Sequence, residues 1–285
     1  MKKIATLLTC HNRKAKTLAC LEALFQNTLH EGYSLDVFLV DDGSTDGTEQ
    51  AVLECYPQVN IIKGDGNLFW CGGMRLAFAA AMKINFDMYL LLNDDTKLNV
   101  NAIKTLLESY ANAEVSAGRP VMVVGSVVDP ITNQLTYGGR VSRGWKQPLY
   151  YDFVPALSTP VVCDTANANC LLIPSEIASV VGNLDSTFLH GKADYDYGLR
   201  AKKKGFSTFV ACEIVGECSH NPPEDISKFI AMNIAQRWRY LTSPKQFPVF
   251  EWLVYTWRHA GVFWFIHWLR PYRKLFLKSL RKDIP

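Results

Sequence analysis

At 285 residues, 48% apolar and 20% charged, the chain has the make-up of an ordinary folded protein with a sizeable core, which excludes intrinsic disorder. Its net charge of +3 is too small to mark a nucleic-acid binder, so no nucleic-acid partner is expected. Eight cysteines without a CxxC pair leave no zinc knuckle or redox motif to read and point to free thiols in a reducing, cytoplasmic compartment.

The first residues, Met1-Lys2-Lys3-Ile4-Ala5-Thr6-Leu7-Leu8, begin like a signal peptide, but the apolar run stops at Cys10-His11-Asn12-Arg13. It therefore reads as a first strand over 4–9, followed by a polar loop. Leu18, Leu21, Leu24 and Phe25 recur at helical spacing. A second strand over 35–40 ends in Asp41-Asp42-Gly43-Ser44-Thr45-Asp46-Gly47-Thr48, which combines turn residues with the start signal of a helix to about Cys55. A short third strand over 59–62 leads through Gly64-Asp65-Gly66-Asn67 to Leu68-Phe69-Trp70-Cys71-Gly72-Gly73-Met74. The glycine pair predicts either a close backbone approach to an anionic ligand, with a helix starting just after it at Arg75, or a plain tight turn.

The fourth apolar run, residues 88–92, is apolar at successive positions, as strands covered on both faces are. Its polar end, Asn93-Asp94-Asp95-Thr96, should lie at the carboxyl edge of the sheet, where open α/β sheets bind ligands. Adjacent carboxylates repel unless a cation or a strong donor sits between them, so the pair suggests a divalent metal with oxygen ligands; the competing reading is a turn or helix cap. The alternation of strands and helices predicts an α/β fold with a doubly wound, mainly parallel sheet.

Four stretches in this order, Leu8-Thr9-Cys10-His11-Asn12-Arg13, residues 40–48, residues 66–73 and Leu92-Asn93-Asp94-Asp95, resemble the family 2 glycosyltransferases of GT-A fold, nearest the rhamnosyltransferase-like branch. The resemblance implies a nucleotide-sugar donor bound by the first hundred residues. Asp42, with Asp41 beside it, would read base or ribose, and Thr9 and Arg13 would lie along the nucleotide. Asp65, Asn67, Gly73 and Asp94 would complete the donor site. Asp95 would ligate Mg²⁺ or Mn²⁺; Asn93 stands where the family's first acid usually does.

Beyond a helix at 101–110 and a strand at 121–128, the stretch 134–153 reads as hairpins whose aromatics, Tyr137, Trp145, Tyr150 and Tyr151, either stack on rings or simply pack. Residues 163–174 look like the family's acceptor-side strand. Residues 189–200 resemble its acid-rich motif, with Ala193 in place of the Glu, which makes Asp194 the catalytic base; alternatively Asp194 and Asp196 only cap a helix that Gly205 closes. In the family a histidine after the last strand commonly contacts metal or diphosphate, and His220 has that place.

The expected organisation is a catalytic domain over 1–228, with donor half 1–100 and acceptor half 101–228, and a helical segment over 229–285. That segment is rich in Trp and carries seven Lys or Arg between 258 and 282 with no acid before Asp283. It suits either the cytoplasmic face of an anionic membrane or packing as a helical subdomain or homodimer contact. The expected activity is inverting, metal-dependent transfer of a sugar, rhamnose among the candidates, to a saccharide or lipid-linked saccharide of cell-surface polysaccharide synthesis. A dTDP-sugar is favoured over UDP or GDP donors. A glycoside hydrolase, or a nucleotide-sugar-binding protein without turnover, are the alternatives.

Overall fold

The computed structural model describes residues 1–220, 229 and 231–280. Four strands of the first half, β1 (Lys2–Cys10), β2 (Tyr33–Asp41), β3 (Asn60–Lys63) and β4 (Met88–Leu92), run parallel. They are linked by helices α1 (Lys14–Phe25), α2 (Thr48–Cys55) and α3 (Phe69–Met82). β4 is buried along its whole length, and its side chains alternate between two cores: Leu90 and Leu92 on one face, Tyr89 and Leu91 on the other. Each such leucine contributes roughly 1.5–3 kcal/mol of burial.

The second half extends the same sheet. After β5 (Lys97–Leu98) and α4 (Ala102–Ala117) come β6 (Met122–Val128), the short β7 (Leu135–Tyr137), and β8 (Gly139–Ser142) and β9 (Tyr151–Phe153). Then follow β10 (Val161–Cys163), β11 (Thr165–Ala166), β12 (Cys170–Pro174), α5 (Ser175–Val181), α6 (Ala193–Lys203) and β13 (Thr208–Glu217). The main path is β10-β13-β6-β12-β4-β1-β2-β3, and β11-β8-β9 form a small second sheet. The fold is thus α/β with a mixed, mainly parallel sheet, as expected.

One strand decides where the site forms. β12 lies antiparallel between β4 and β6. Its reversed direction brings the residues just before it to the carboxyl end of β4, and the Asn93 amide donates to the Asn169 carbonyl at 3.1 Å.

The paired glycines behave differently from either sequence expectation. α3 begins at Phe69, so Gly72 and Gly73 lie inside its first turns and neither precede the helix nor form a tight turn. A Cβ on Gly73 would meet Thr9 Oγ1 at 2.0 Å, so the missing side chain lets α3 pack directly on β1. Later in the chain, Gly205 follows the last turn of α6 at φ +89°, and the Phe206 amide reaches the Ala201 carbonyl at 3.0 Å, closing the helix as expected.

Among the described residues, the helices Ile234–Leu241, Val249–His259 and Trp264–Leu280 lie in the C-terminal segment. Their inward side chains Trp252, Tyr255, Tyr272 and Leu275 join the core on the α3–α6 side of the sheet. The boundary expected at 228, and Arg281 and Lys282 of the basic run, lie outside the described residues.

Candidate active site

The cluster at the end of β4 is the electrostatic centre of the carboxyl edge. Arg13, in the turn after β1, donates one guanidinium nitrogen to Asp94 Oδ1 at 3.1 Å and to Asp95 Oδ2 at 2.9 Å, with Lys16 3.7 Å from the latter. Arg13 therefore supplies the cation that adjacent carboxylates demand. It does not satisfy them fully: Asp94 is 5% exposed, and its Oδ2 has no hydrogen-bond partner. Burial, opposed by Arg13 and reinforced by Asp95, pushes the Asp94 carboxyl up to about 6.

That orphaned oxygen is the test of the expected metal. An all-oxygen pair with a spare buried acceptor fits a hard divalent cation. Among the described residues no three His, Cys, Asp or Glu side chains gather around one point, so most of such an ion's shell falls to other oxygens, as a diphosphate provides. Asn93 is used otherwise: its Oδ1 accepts from Trp70 Nε1 at 2.8 Å, an arrangement that needs an acceptor but no charge.

Asp194 enters the same space from the far side. A cleft of about 270 Å³ is lined by Arg13, Trp70, Asn93, Asp94 and Asp95 from the first half and by Asn167, Asn169, His190, Lys192 and Asp194 from the second. Asp194 sits in the first turn of α6, accepting from the Tyr195 amide at 2.8 Å and from the Ala168 amide at 3.4 Å. Burial raises its pKa above 3.8 against these donors, which makes the carboxylate a better proton acceptor. Asp196, two residues on, is fully buried and bound by Arg200 at 2.7 Å, His259 at 2.9 Å and Arg258 at 3.2 Å. Burial favours its neutral form, but these partners win and hold its pKa below 3.8. Thus one acid of the motif faces the cleft, and the other fastens α6 to the helix Val249–His259.

Several expected donor contacts lie outside the cleft lining. Asp42 is buried, with Oδ1 accepting from Gly66 N at 2.8 Å and Oδ2 from Leu68 N at 3.0 Å and Phe69 N at 3.1 Å. Asp41 Oδ1 accepts from Ser44 N, and Asp65 Oδ1 from the Asn67 amide, both at 2.9 Å. Thr9 and Gly73 meet at the β1–α3 contact. His220 is exposed beyond β13, its ring 5.4 Å from Tyr137, itself a cleft residue.

Sequence reasoning passed over His190, Lys192 and Trp70. His190 Nδ1 is buried without a hydrogen-bond partner, and burial, then the charges of Lys245 and Arg13, lower its pKa below 6.5, so the ring is neutral near pH 7. Lys192 holds φ +69°, and Phe69, next to Trp70, holds φ +52°. Strained non-glycine backbone around a cleft is a mark of function that no residue pattern announces.

The family model for glycosyl transferase family 2 matches residues 6–169. The uncharacterized protein Rv1525 of Mycobacterium tuberculosis is 26% identical over 184 residues, 60% of this chain and 64% of that protein. The N-acetylglucosaminyl-diphospho-decaprenol L-rhamnosyltransferase of the same organism is 23% identical over 220 residues, 69% of this chain and 71% of that one. Among solved structures, the mannosyltransferase PcManGT from Pyrobaculum calidifontis, in complex with GDP-Man and Mn²⁺, superimposes with a TM-score of 0.54 at 14% identity. The superposition covers 85% of this chain and 62% of the other.

Proposed function

Because the chain belongs to glycosyl transferase family 2, we propose that it moves a sugar from a nucleoside diphosphate to a hydroxyl of a saccharide or lipid-linked saccharide, with inversion at the anomeric carbon. The observation that carries this reading is the single cleft lined by the Arg13–Asp94–Asp95 cluster on one side and Asp194 on the other.

In this reaction Asp194 takes the proton of the acceptor hydroxyl as that oxygen attacks the anomeric carbon, and the bond to the diphosphate breaks on the opposite face. Arg13 turns its guanidinium from the carboxylates to the departing phosphates. Asp94 and Asp95 would hold Mg²⁺ or Mn²⁺, which would supply positive charge against the negative charge of the leaving group. His190, neutral and with a free ring nitrogen, hydrogen-bonds a hydroxyl of the donor sugar. The named activity of the M. tuberculosis relative supports rhamnose and a lipid-linked acceptor; the metal in PcManGT supports the cation. His220, beside Tyr137, is a further candidate for contact with metal or diphosphate.

Thermal shifts with dTDP, UDP and GDP, each with and without Mn²⁺, test the reading, since a ligand of the folded state alone raises its stability. A metal-dependent shift for one nucleotide, dTDP first, is expected. No shift with any of them at saturation sinks it.

A further inference from the structure

The C-terminal helices are two-faced, and only one face is accounted for. The inner face is locked: Trp252 Nε1 donates to the Trp268 carbonyl and Trp268 Nε1 to the Val249 carbonyl, both at 3.2 Å, and the Tyr272 hydroxyl donates to the Phe247 carbonyl at 2.8 Å. Glu251 Oε2 accepts from the Leu189 amide at 3.2 Å, and Arg258 and His259 hold Asp196. The helix Val249–His259 therefore braces both the segment carrying His190 and the helix carrying Asp194.

The outer face is apolar and open. Trp257 is 62% exposed, Val262 85% and Phe263 59%, and Phe265, Ile266 and Leu269 continue the patch at helical spacing along Trp264–Leu280. Such large side chains are normally covered, and a contiguous group of them marks an interaction surface. The charge beside them is of one sign. From Val262 through Arg273 the chain has Arg270 and Arg273 and no Asp or Glu, and both arginines are exposed on the same helix as the apolar stripe. No helix of the described residues is long and apolar enough to cross a membrane.

We infer that this face docks on the surface of an anionic lipid bilayer, with Trp257, Val262, Phe263 and Ile266 entering the interface and Arg270 and Arg273 meeting lipid phosphates. Aromatic and aliphatic side chains on one helical face, with arginines and no acids beside them, match the two components of interfacial binding, apolar burial and attraction to anionic headgroups. A second copy of this chain would bring the same arginines face to face, without acids on the patch to pair them. Docking is independent of the donor chemistry; its consequence for the acceptor, that it is anchored in the same bilayer, rests on the proposed transferase activity.

The test is flotation of the full-length protein with vesicles of phosphatidylcholine mixed with phosphatidylglycerol, against phosphatidylcholine alone. The wild type should float with the anionic vesicles and release as salt rises. Phe263→Ser/Ile266→Ser and Arg270→Glu/Arg273→Glu should each bind about tenfold more weakly while melting as the wild type does. Flotation unchanged in both variants, or none for the wild type with either vesicle, overturns the inference. So does a wild-type dimer in solution that Phe263→Ser/Ile266→Ser splits, which makes the face a subunit contact. The nucleotide shift of the same samples keeps the two questions apart: lost flotation with an intact shift removes docking alone, whereas flotation without any shift removes the transferase reading and leaves docking standing.

Discussion

Two strands of one sheet run into paired aspartates, and the pairs have different partners. At the end of β2, Asp41 accepts from one backbone amide of its own loop, and Asp42 accepts from three backbone amides of the loop that follows β3. At the end of β4, Asp94 and Asp95 share one arginine, and a buried oxygen of Asp94 is left without a partner. The first pair is held by backbone amides, and the second keeps a buried acceptor unused. The same division recurs within α6, where Asp194 faces the cleft and Asp196 is clamped by three basic side chains. A carboxylate's neighbours, more than its place in a motif, decide whether it is available for chemistry.

The largest effect that can break this comparison is Asp194→Asn. Loss of a general base should lower turnover by about 10²–10⁴-fold while the nucleotide thermal shift persists; turnover equal to the wild type refutes the assignment. The wild-type rate should also fall as pH drops through the Asp194 pKa, because only the carboxylate accepts a proton. Burial raises that pKa, so the acid limb should lie above 3.8.

Next in size is Asp196→Asn. Breaking a buried charge cluster should destabilise the fold by about 3 kcal/mol at neutral pH, read by denaturant titration. Its folded pKa is depressed, so the wild-type advantage is present above 3.8 and is lost as pH falls through the lower folded value. A stability gap that persists unchanged in stronger acid would count against this ion cluster.

Asp42→Asn should follow, at about 1–3 kcal/mol, because an amide group in place of one oxygen leaves backbone donors of residues 66–69 without an acceptor. Asp95→Asn is the counterpart that sharpens the contrast. It should weaken metal-dependent nucleotide binding about tenfold, measured by calorimetry, while changing stability by only about 0.5 kcal/mol. If Asp42→Asn weakened nucleotide binding without loss of stability, the two pairs would not differ as argued.

The first half of the molecule carries a lesson of its own about glycine. From the chain alone, Gly72-Gly73 promised a ligand loop or a turn. The structure uses Gly73 to seat a helix on Thr9, because the short distance from α3 to β1 leaves no room for a Cβ. The C-terminal segment, open between membrane contact and packing, is packed on one face and bare on the other, since the helices bury Trp252 and Tyr255 but turn Trp257 outward.

The sequence by itself determined the α/β class, the first four parallel strands, the acids at the end of β4 and the motif around Asp194, because apolar runs and their polar ends are local properties of the chain. Tertiary structure alone decided which of those acids meet. Antiparallel insertion of β12 beside β4 places residues 167–169 at the same sheet edge as Asp94, and a sheet pairs strands by direction and register, which no local pattern along the chain records. The same holds for Arg13 spanning Asp94 and Asp95, for the free nitrogen of His190 and for the clamp on Asp196: each depends on side chains distant in the chain arriving at one place.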